Sequence, residues 1–164
     1  MSNKAIFLDR DGVINFEKGY TTSLTDFKIL PDVFDVLKKF QDCGYLLIVI
    51  TNQGAISKKL FTKEDLEEIH KYLLSELEKH QIILTEIYYC VHHPDSDSGK
   101  CICRKPDSLL IEKALARFDI DPSQSYFIGD KESDMQAARN VGIRGVKIDK
   151  NSSLNLIVGQ IIRG

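Results

Sequence analysis

The sequence has few cysteines and no long hydrophobic run, and each of these absences excludes a class of protein. Four cysteines in 164 residues are too few and too unevenly spaced for the disulfide framework of a secreted scaffold. No apolar stretch approaches the roughly 18 residues of a membrane-spanning helix, and no signal-peptide region precedes the first predicted strand. We therefore expect a cytoplasmic protein without a membrane partner.

An excess of charge of one sign is also lacking. The formal net charge is −2 at pH 7, so the protein has no global basic surface and we expect no nucleic-acid partner. The chain contains no repeat, low-complexity tract or interdomain linker. We expect one domain over residues 1–164, which is long enough to bury a core and is compatible with a monomer.

Predicted strands alternate with predicted helices along the chain. Apolar, β-branched runs predict buried strands at Lys4–Leu8, Tyr45–Ile50, Glu86–Cys90, Tyr126–Ile128 and Gly145–Ile148. Spacings of three and four residues between apolar positions predict helices over 32–43, 62–80, 108–118 and 132–141. The apolar tail, 154–162, is ambiguous between strand and helix. This alternation predicts the α/β class, as a three-layer Rossmann-like parallel sheet covered on both faces.

Two carboxylates follow the first predicted strand, in the segment Leu8-Asp9-Arg10-Asp11-Gly12. In an open α/β sheet, ligands bind outside the carboxyl ends of the strands, which is where these two acids are expected. Closely spaced aspartates repel each other, and a hard cation such as Mg²⁺ relieves that repulsion. The alternative is a solvated turn.

Two further strands end in polar residues, Thr51-Asn52 and Gly129-Asp130, and Lys105 precedes the third predicted helix. A parallel sheet brings such strand ends to one edge. Phosphoryl transfer needs a nucleophile, a proton-transfer group, a metal and donors for the phosphate oxygens, and this set contains candidates for each. The sequence thus predicts phosphoryl-transfer chemistry on a small phosphorylated metabolite.

Cysteine and histidine are concentrated in residues 90–106, which we call the Cys/His loop. Two residue pairs flank a short polar segment and supply three thiolates and one imidazole, a complete ligand set for tetrahedral structural zinc. The candidate ligands are Cys90, His92, Cys101 and Cys103. His93 competes with His92, and spacing favours His92. The alternative is an ordinary loop with reduced thiols. By contrast, His70 and His80 lie far from the polar strand ends, and we expect surface or helix-end roles for them.

The order of these motifs resembles the haloacid-dehalogenase superfamily of phosphatases. The resemblance implies that Asp9 is the nucleophile and Asp11 the general acid and base, while Thr51 and Lys105 hold the transferring phosphoryl group. It also implies Mg²⁺ bound by Asp9, the main-chain carbonyl of Asp11 and Asp130. Asp134 either orients Lys131 or a metal-bound water, or faces solvent at a helix N-terminus, where acids are favoured.

Longer motifs narrow the resemblance to the heptose-1,7-bisphosphate 7-phosphatases and the related histidinol-phosphate phosphatase domains. These motifs are Asp-Arg-Asp-Gly, Gly-Tyr, Thr-Asn-Gln, Cys-x-His-His-Pro, Cys-x-Cys-Arg-Lys-Pro and Gly-Asp-Lys-x-x-Asp-Met. The resemblance implies Mg²⁺ and Zn²⁺ as cofactors. It assigns substrate-binding positions to Arg10, Glu17, Lys18, Gly19, Tyr20, Asn52, Gln53, Arg104 and Lys131.

The intervals between motifs leave no room for a cap domain. One helix and a small flap fit between Asp11 and Thr51, whereas a helix, a strand and the Cys/His loop fit before Lys105. The chain departs from the usual heptose-enzyme pattern at residues 54–59 and 107–109, which border the expected substrate position. A sugar bisphosphate is the expected substrate, and histidinol phosphate or another small sugar phosphate is the alternative. Two further alternatives are a signalling receiver domain and a zinc-stabilised, non-catalytic phosphate-binding module.

Overall fold

Five parallel strands form the centre of the fold. The computed structural model of the protein describes residues 2–97 and 101–163, so residues 98–100 of the Cys/His loop lie outside the described part. The strands are β1 (Lys4–Leu8), β2 (Tyr45–Asn52), β3 (Glu86–Cys90), β4 (Tyr126–Gly129) and β5 (Arg144–Lys147). They pair in the order β3-β2-β1-β4-β5, all parallel, which confirms the predicted class.

Helices connect the strands and follow the last one. They are α1 (Val33–Asp42), α2 (Lys63–Lys79), α3 (Leu109–Arg117), α4 (Glu132–Asn140) and α5 (Asn155–Ile162). The helix α5 resolves the ambiguity of the apolar tail. The start of α2 is fixed by a capping box, in which the Thr62 hydroxyl accepts from the main-chain N–H of Asp65 and the Asp65 carboxylate accepts from that of Thr62. Among the described residues, no helix combines the length and apolarity needed to cross a membrane.

The side chains of β1 divide the core into two layers. Ile6 and Leu8 point to the face covered by apolar residues of α1, α2 and α5, whereas Ala5 and Phe7 point to the face covered by α3 and α4. Successive side chains of a strand point to opposite faces, so a strand buried on both sides must be continuously apolar. All four side chains are fully buried. The result is the predicted three-layer arrangement.

The loops at the carboxyl ends of the strands form the borders of the site. Residues 9–32 contain turns and two isolated bridges, Asp11 with Asn15 and Asn15 with Ile29, and we call residues 16–28 the flap. Only α2 and its short flanking turns lie between β2 and β3. Neither interval contains a cap domain, so flap and Cys/His loop are the segments that border the strand ends.

The two histidines of α2 differ in their surroundings. His80 is the C-cap residue of α2 and stacks on Phe34, with 4.0 Å between ring centroids, which confirms a helix-end role. His70 is 7% exposed, so the expected surface role is wrong for it. The reason is its position on the buried face of α2, four residues after Leu66 and three before Leu73.

Candidate active site

The carboxyl ends of three adjacent strands bring the predicted catalytic side chains together. Asp9 directly follows β1, Thr51 lies near the end of β2, and Asp130 directly follows β4. Asp9 and Thr51 are buried. The side-chain amide of Gln53 donates to the Thr51 hydroxyl and to Asp11 Oδ2, both at 2.8 Å. The parallel topology therefore places the polar strand ends at one edge, as the sequence predicts.

Lys105 reaches this edge from the Cys/His loop. Its ammonium lies 2.9 Å from Asp9 Oδ1 and 2.6 Å from Asp134 Oδ1, and it donates to the main-chain carbonyl of Ile50 at 2.7 Å. Burial opposes the charge of Lys105, but the two carboxylates outweigh it and raise the pKa of the ammonium. The site thus contains a fixed cation beside the predicted nucleophile.

Asp9 is in an environment that penalises its own charge. Burial raises the pKa of Asp9 to about 7; Lys105 opposes this rise, and the carboxylates of Asp134 and Asp11 add to it. Asp9 and Asp134 together carry more negative charge than Lys105 alone can neutralise. A bound cation would supply the missing positive charge and favour the ionised, nucleophilic form of Asp9.

Asp11 is held differently, although it lies only two residues away. Its Oδ1 accepts from Arg10 Nη2 at 2.8 Å and from the Asn15 amide at 3.0 Å, and its Oδ2 accepts from Gln53. Burial opposes ionisation, but the Arg10 charge and these hydrogen bonds prevail and lower the pKa of Asp11. The two neighbouring carboxylates therefore have opposite pKa shifts, because one is paired with Lys105 in a buried acidic cluster and the other is held by Arg10, Asn15 and Gln53.

Arg10 does not fit the substrate-binding role that the sequence suggests. Its side chain has no exposed area, and its guanidinium bonds Asp11 Oδ1 while lying 3.1 Å from His70 Nε2. The reason is geometric, since side chains alternate beyond β1 and the residue between two cavity-facing acids points into the core. The structure makes Arg10 a neighbour of the acid, out of reach of substrate.

Carboxylate oxygens of Asp9, Asp130 and Asp134 lie within 4.8 Å of one another, close enough for one cation. Asp130 Oδ1 is buried and has no hydrogen-bond partner among the described residues, and a hard, oxygen-seeking ion would satisfy it. Gly12 supports this geometry with φ +82°, and a Cβ there would come within 3.1 Å of Asp130 Oδ2 and Glu17 Oε2. The donor set therefore fits Mg²⁺.

Asp134 is buried, which decides between the two sequence-based alternatives for it. It is 1% exposed, contacts Lys105 and accepts from the main-chain N–H of Lys131 at 3.1 Å, at the start of α4. Asp134 packs directly against the main chain of Gly129, and only glycine fits there, because a Cβ would lie 2.4 Å from the Asp134 Cβ. The solvent-facing alternative is wrong, and Asp134 lies in the charged centre, where it contacts Lys105 and the main chain of Lys131.

The four candidate zinc ligands also come together. The Cys90, Cys101 and Cys103 sulfurs and a ring nitrogen of His92 lie within 4.8 Å of one another. Sulfur and imidazole donors in a closed set of four are typical of structural zinc. Burial disfavours the Cys101 thiolate, yet the main-chain N–H of Cys103 and the neighbouring thiols lower its pKa to about 7. The cluster could therefore bind zinc.

His93 lies outside this cluster, which agrees with the preference for His92. Its main-chain N–H donates to Asp97 at 2.6 Å, and its ring accepts from the main-chain N–H of Asp95 at 3.1 Å. The ring borders the same cavity as Arg104. His93 is thus a cavity residue that sequence reasoning considered only as a ligand.

The Cys/His loop is tied to β2 by Asn52 and to itself by Arg104. The Asn52 side chain bonds both main-chain groups of Lys105, accepting from its N–H at 3.0 Å and donating to its carbonyl at 3.1 Å. Arg104 donates to the His92 carbonyl at 3.0 Å. These contacts connect the thiol cluster and the cavity with Lys105.

A cavity of about 290 Å³ opens above the charged centre, between the flap and the Cys/His loop. Seven of the predicted substrate-binding residues line it: Glu17, Gly19, Tyr20, Asn52, Gln53, Arg104 and Lys131. Lys18 borders a neighbouring depression of the flap. Thr21 and Ser133 line the cavity without having been predicted, because neither belongs to a recognisable motif.

A polar bridge joins the flap to the Cys/His loop at the mouth of this cavity. Lys58 Nζ donates to the Tyr20 hydroxyl at 3.2 Å and lies 3.4 Å from an Asp95 carboxylate oxygen. Lys58 belongs to the segment that departs from the usual heptose-enzyme pattern. The departure therefore lies beside Tyr20, a residue that lines the cavity.

Comparison with known proteins identifies the family and agrees with the fold. A family model described as HAD-hydrolase-like covers residues 102–154. The D-glycero-beta-D-manno-heptose-1,7-bisphosphate 7-phosphatase of Helicobacter pylori strain 26695 is 42% identical over 87% of this chain and 82% of its own. The chain belongs to this haloacid-dehalogenase family of phosphatases. It is a phosphatase by that membership.

A second curated relative and a solved structure are also similar to this phosphatase. The Campylobacter jejuni D-glycero-alpha-D-manno-heptose-1,7-bisphosphate 7-phosphatase is 40% identical over 87% of this chain and 80% of its own. A D,D-heptose 1,7-bisphosphate phosphatase from B. bronchiseptica, solved with magnesium and phosphate, covers 98% of both chains with TM-score 0.80 and 23% identity. That structure supports the fold.

Proposed function

We propose that this protein is a Mg²⁺-dependent phosphomonoesterase that acts through an aspartyl-phosphate and removes the 7-phosphate of D-glycero-D-manno-heptose 1,7-bisphosphate. The observation that carries the mechanism is the contrast between two acids. Asp9 lies against Lys105 at 2.9 Å, whereas Asp11 is fixed separately by Arg10, Asn15 and Gln53. One acid is thus arranged for attack and the other for proton transfer.

In the first step, an Asp9 carboxylate oxygen attacks phosphorus and the bond from phosphorus to the sugar oxygen breaks. The electron pair of that bond goes to the sugar oxygen, which takes the proton of the Asp11 carboxylic acid. Lys105 and Thr51 hold the phosphoryl oxygens. The dianionic phosphate beside Asp11 favours its protonated form, against the lowering effect of Arg10 on its pKa.

In the second step, Asp11 acts as the base. Its carboxylate takes a proton from water, the water oxygen attacks phosphorus, and the bond from phosphorus to Asp9 breaks, which releases phosphate and restores both acids. Asp9, Asp130 and the Asp11 main-chain carbonyl would hold Mg²⁺, which would supply charge neutralisation between an anionic nucleophile and an anionic ester. Asp134 keeps Lys105 in place beside them.

The substrate assignment rests on the relatives and on the cavity. Relatives at about 40% identity over most of the chain are named for heptose 1,7-bisphosphate, one for each anomer. The cavity is polar and carries two cations, Arg104 and Lys131, in addition to Lys105. A second phosphate group on the substrate would find positive charge away from the reacting centre. This function belongs to the synthesis of lipopolysaccharide precursors.

The Cys/His loop is proposed to bind one structural zinc ion through Cys90, His92, Cys101 and Cys103. A closed set of four ligands leaves no open position for substrate, so the ion would order the loop and thereby Arg104 and Lys105. Metal analysis of the purified protein tests this directly, with one equivalent of zinc as the expected content.

The deciding experiment measures phosphate release with Mg²⁺ from both anomers of heptose 1,7-bisphosphate, from histidinol phosphate and from common sugar phosphates. A strong preference for one heptose anomer is expected. Preference for histidinol phosphate would overturn the substrate assignment and leave the mechanism. Acid quenching during turnover should trap phosphate on wild-type protein and none on Asp9→Asn. Absence of any trapped phosphate in the wild type would contradict the aspartyl-phosphate.

A further inference from the structure

His70 is a buried polar residue that the proposed reaction does not use. It projects from α2 with 7% exposure, and its Nε2 lies 3.1 Å from Arg10 Nη1. The Tyr89 ring is 5.7 Å away, centroid to centroid. Burial of an imidazole in an apolar layer costs solvation free energy unless the ring forms a hydrogen bond. Within the described residues, the ring forms this bond with Arg10.

The chemistry of this contact fixes the role of each partner. A guanidinium only donates hydrogen bonds, so His70 Nε2 must accept and the ring proton must lie on Nδ1. Burial, with the Arg10 charge adding to it, lowers the pKa of His70 to about 3. The imidazole is therefore neutral and able to accept throughout the physiological pH range.

Through the same guanidinium, the contact reaches Asp11. Arg10 Nε and Nη2 both donate to Asp11 Oδ1, at 3.2 and 2.8 Å, while Nη1 is directed to His70. The guanidinium is planar, so a partner on Nη1 fixes the direction of the other two nitrogens. The Phe27 ring, 5.5 Å from the guanidinium carbon, covers the group on the core side.

We propose that His70 is a positioning residue, which orients Arg10 and through it the Asp11 carboxyl for proton transfer to the leaving oxygen. This inference rests on the proposed function, in which Asp11 is the acid and base. His70 is 60 positions away from Arg10 in the sequence and touches no reacting atom. Its contribution should therefore appear in the proton-transfer step and not in substrate affinity.

The test compares two substrates with different needs for an acid. An alkyl phosphate, namely the sugar phosphate that the wild type hydrolyses best, requires protonation of its leaving oxygen, whereas 4-nitrophenyl phosphate has a leaving group that departs without it. For His70→Leu we expect kcat/KM on the alkyl ester to fall about tenfold or more, a fraction of a full general-acid contribution. On 4-nitrophenyl phosphate it should stay within about twofold, and KM for the sugar phosphate should not rise.

Two further variants separate positioning from stability. In His70→Gln the side-chain oxygen can accept from Arg10, so activity on the alkyl ester should recover most of the loss. Leu73→Ala, one turn further along the same buried face, destabilises α2 without touching Arg10 and should leave the ratio of the two substrates unchanged. Equal losses on both substrates in His70→Leu, or no recovery in His70→Gln, would overturn the role of His70.

A spectroscopic measurement tests the contact without substrate or metal. Ring nitrogen chemical shifts of ¹⁵N-labelled wild type should place the His70 proton on Nδ1 and leave Nε2 unprotonated. A proton on Nε2 would contradict the contact and overturn the inference. Wild-type protein that hydrolyses neither ester would instead refute the proposed function, a result distinct from either outcome for His70.

Discussion

The strand-end centre and the Cys/His loop hold their functional groups by different means. Asp9 continues a strand whose last four residues are fully buried between two helical layers, so the core positions it. The Cys/His loop has exposed residues at 94–96, and its three thiols have mainly one another and His92 as partners. The core therefore fixes the first region, whereas the second is held mainly by its own cluster of candidate zinc ligands.

This difference predicts that each region can be damaged without loss of the other. Carboxylates at the strand ends should keep their geometry when the loop loses its order, and the loop should keep its metal when the chemistry of the centre is removed. Two residues link them. Asn52, at the end of β2, bonds the main chain of Lys105, and the Lys105 side chain reaches from the loop to Asp9.

The largest expected effect comes from Asp9→Asn, which removes the proposed nucleophile and leaves a side chain of the same shape. We expect kcat to fall about a thousandfold or more, with the circular dichroism spectrum and the zinc content of the loop unchanged. The exposed acid Asp35 on α1 provides the matched control, Asp35→Asn, with wild-type kinetics. Turnover of Asp9→Asn within a few-fold of wild type would refute the nucleophile.

Arg104→Ala should have the next largest effect, since it removes a cation of the cavity while the centre stays intact. A charged hydrogen bond to phosphate contributes about 1.5–3 kcal/mol, so KM for the bisphosphate should rise about 10- to 100-fold. A substrate with one phosphate should be affected much less. An equal rise in KM for monophosphate and bisphosphate in Arg104→Ala would contradict the assignment of Arg104 to the second phosphate group.

Cys101→Ala should damage the loop and spare the centre. We expect loss of the zinc ion and a rise in KM of about tenfold, equivalent to about 1.4 kcal/mol, because Arg104 and Lys105 become less ordered. Magnesium affinity, measured by calorimetry without substrate, should stay near that of wild type. Cys43→Ala, which changes an exposed thiol outside the cluster, is the control. Unchanged kinetics in a zinc-free Cys101→Ala protein would show that zinc does not order the substrate-binding residues of the loop.

The smallest effect concerns stability and pH. The folded state holds the pKa of His70 at about 3, below its ordinary value of 6.5, so between these values the unfolded chain binds the extra proton. The free energy of unfolding is therefore not reduced by His70 above pH 6.5, and it falls as the pH drops below that value. Between pH 6.5 and 5.5 the wild type should lose about 1 kcal/mol more than His70→Gln in urea unfolding. Parallel pH profiles for the two proteins would contradict the assigned burial.

Features set by short-range patterns could be predicted from the sequence. The strand Lys4–Leu8 and the acids after it follow from an apolar run that ends abruptly, and the parallel sheet makes the meeting of strand ends automatic. The thiol cluster follows in the same way from two close residue pairs. Each of these predictions required only the residue pattern of one short segment, together with the general rules of α/β folds.

Features that depend on contacts between distant segments were missed. The contact between Arg10 and His70 joins residues 60 positions apart, and neither residue alone signals it. A clue was present for His70, because its spacing from Leu66 and Leu73 places it on the apolar face of α2. The sequence allows two alternatives for Asp134, and its position three residues after Lys131, where a capping acid lies, is the clue that favours the buried one. In both cases helical spacing outweighed the usual preference of polar residues for the surface.

The pair of hydrogen bonds between Asn52 and the main chain of Lys105 has a consequence for protein engineering. A side chain that bonds both the N–H and the carbonyl of one residue imitates a neighbouring strand, and so anchors the end of the Cys/His loop independently of its length. Loops of different length could then be transplanted before Arg104 without shifting the lysine. Such a graft should keep Asn52, because its two hydrogen bonds hold Lys105 in position.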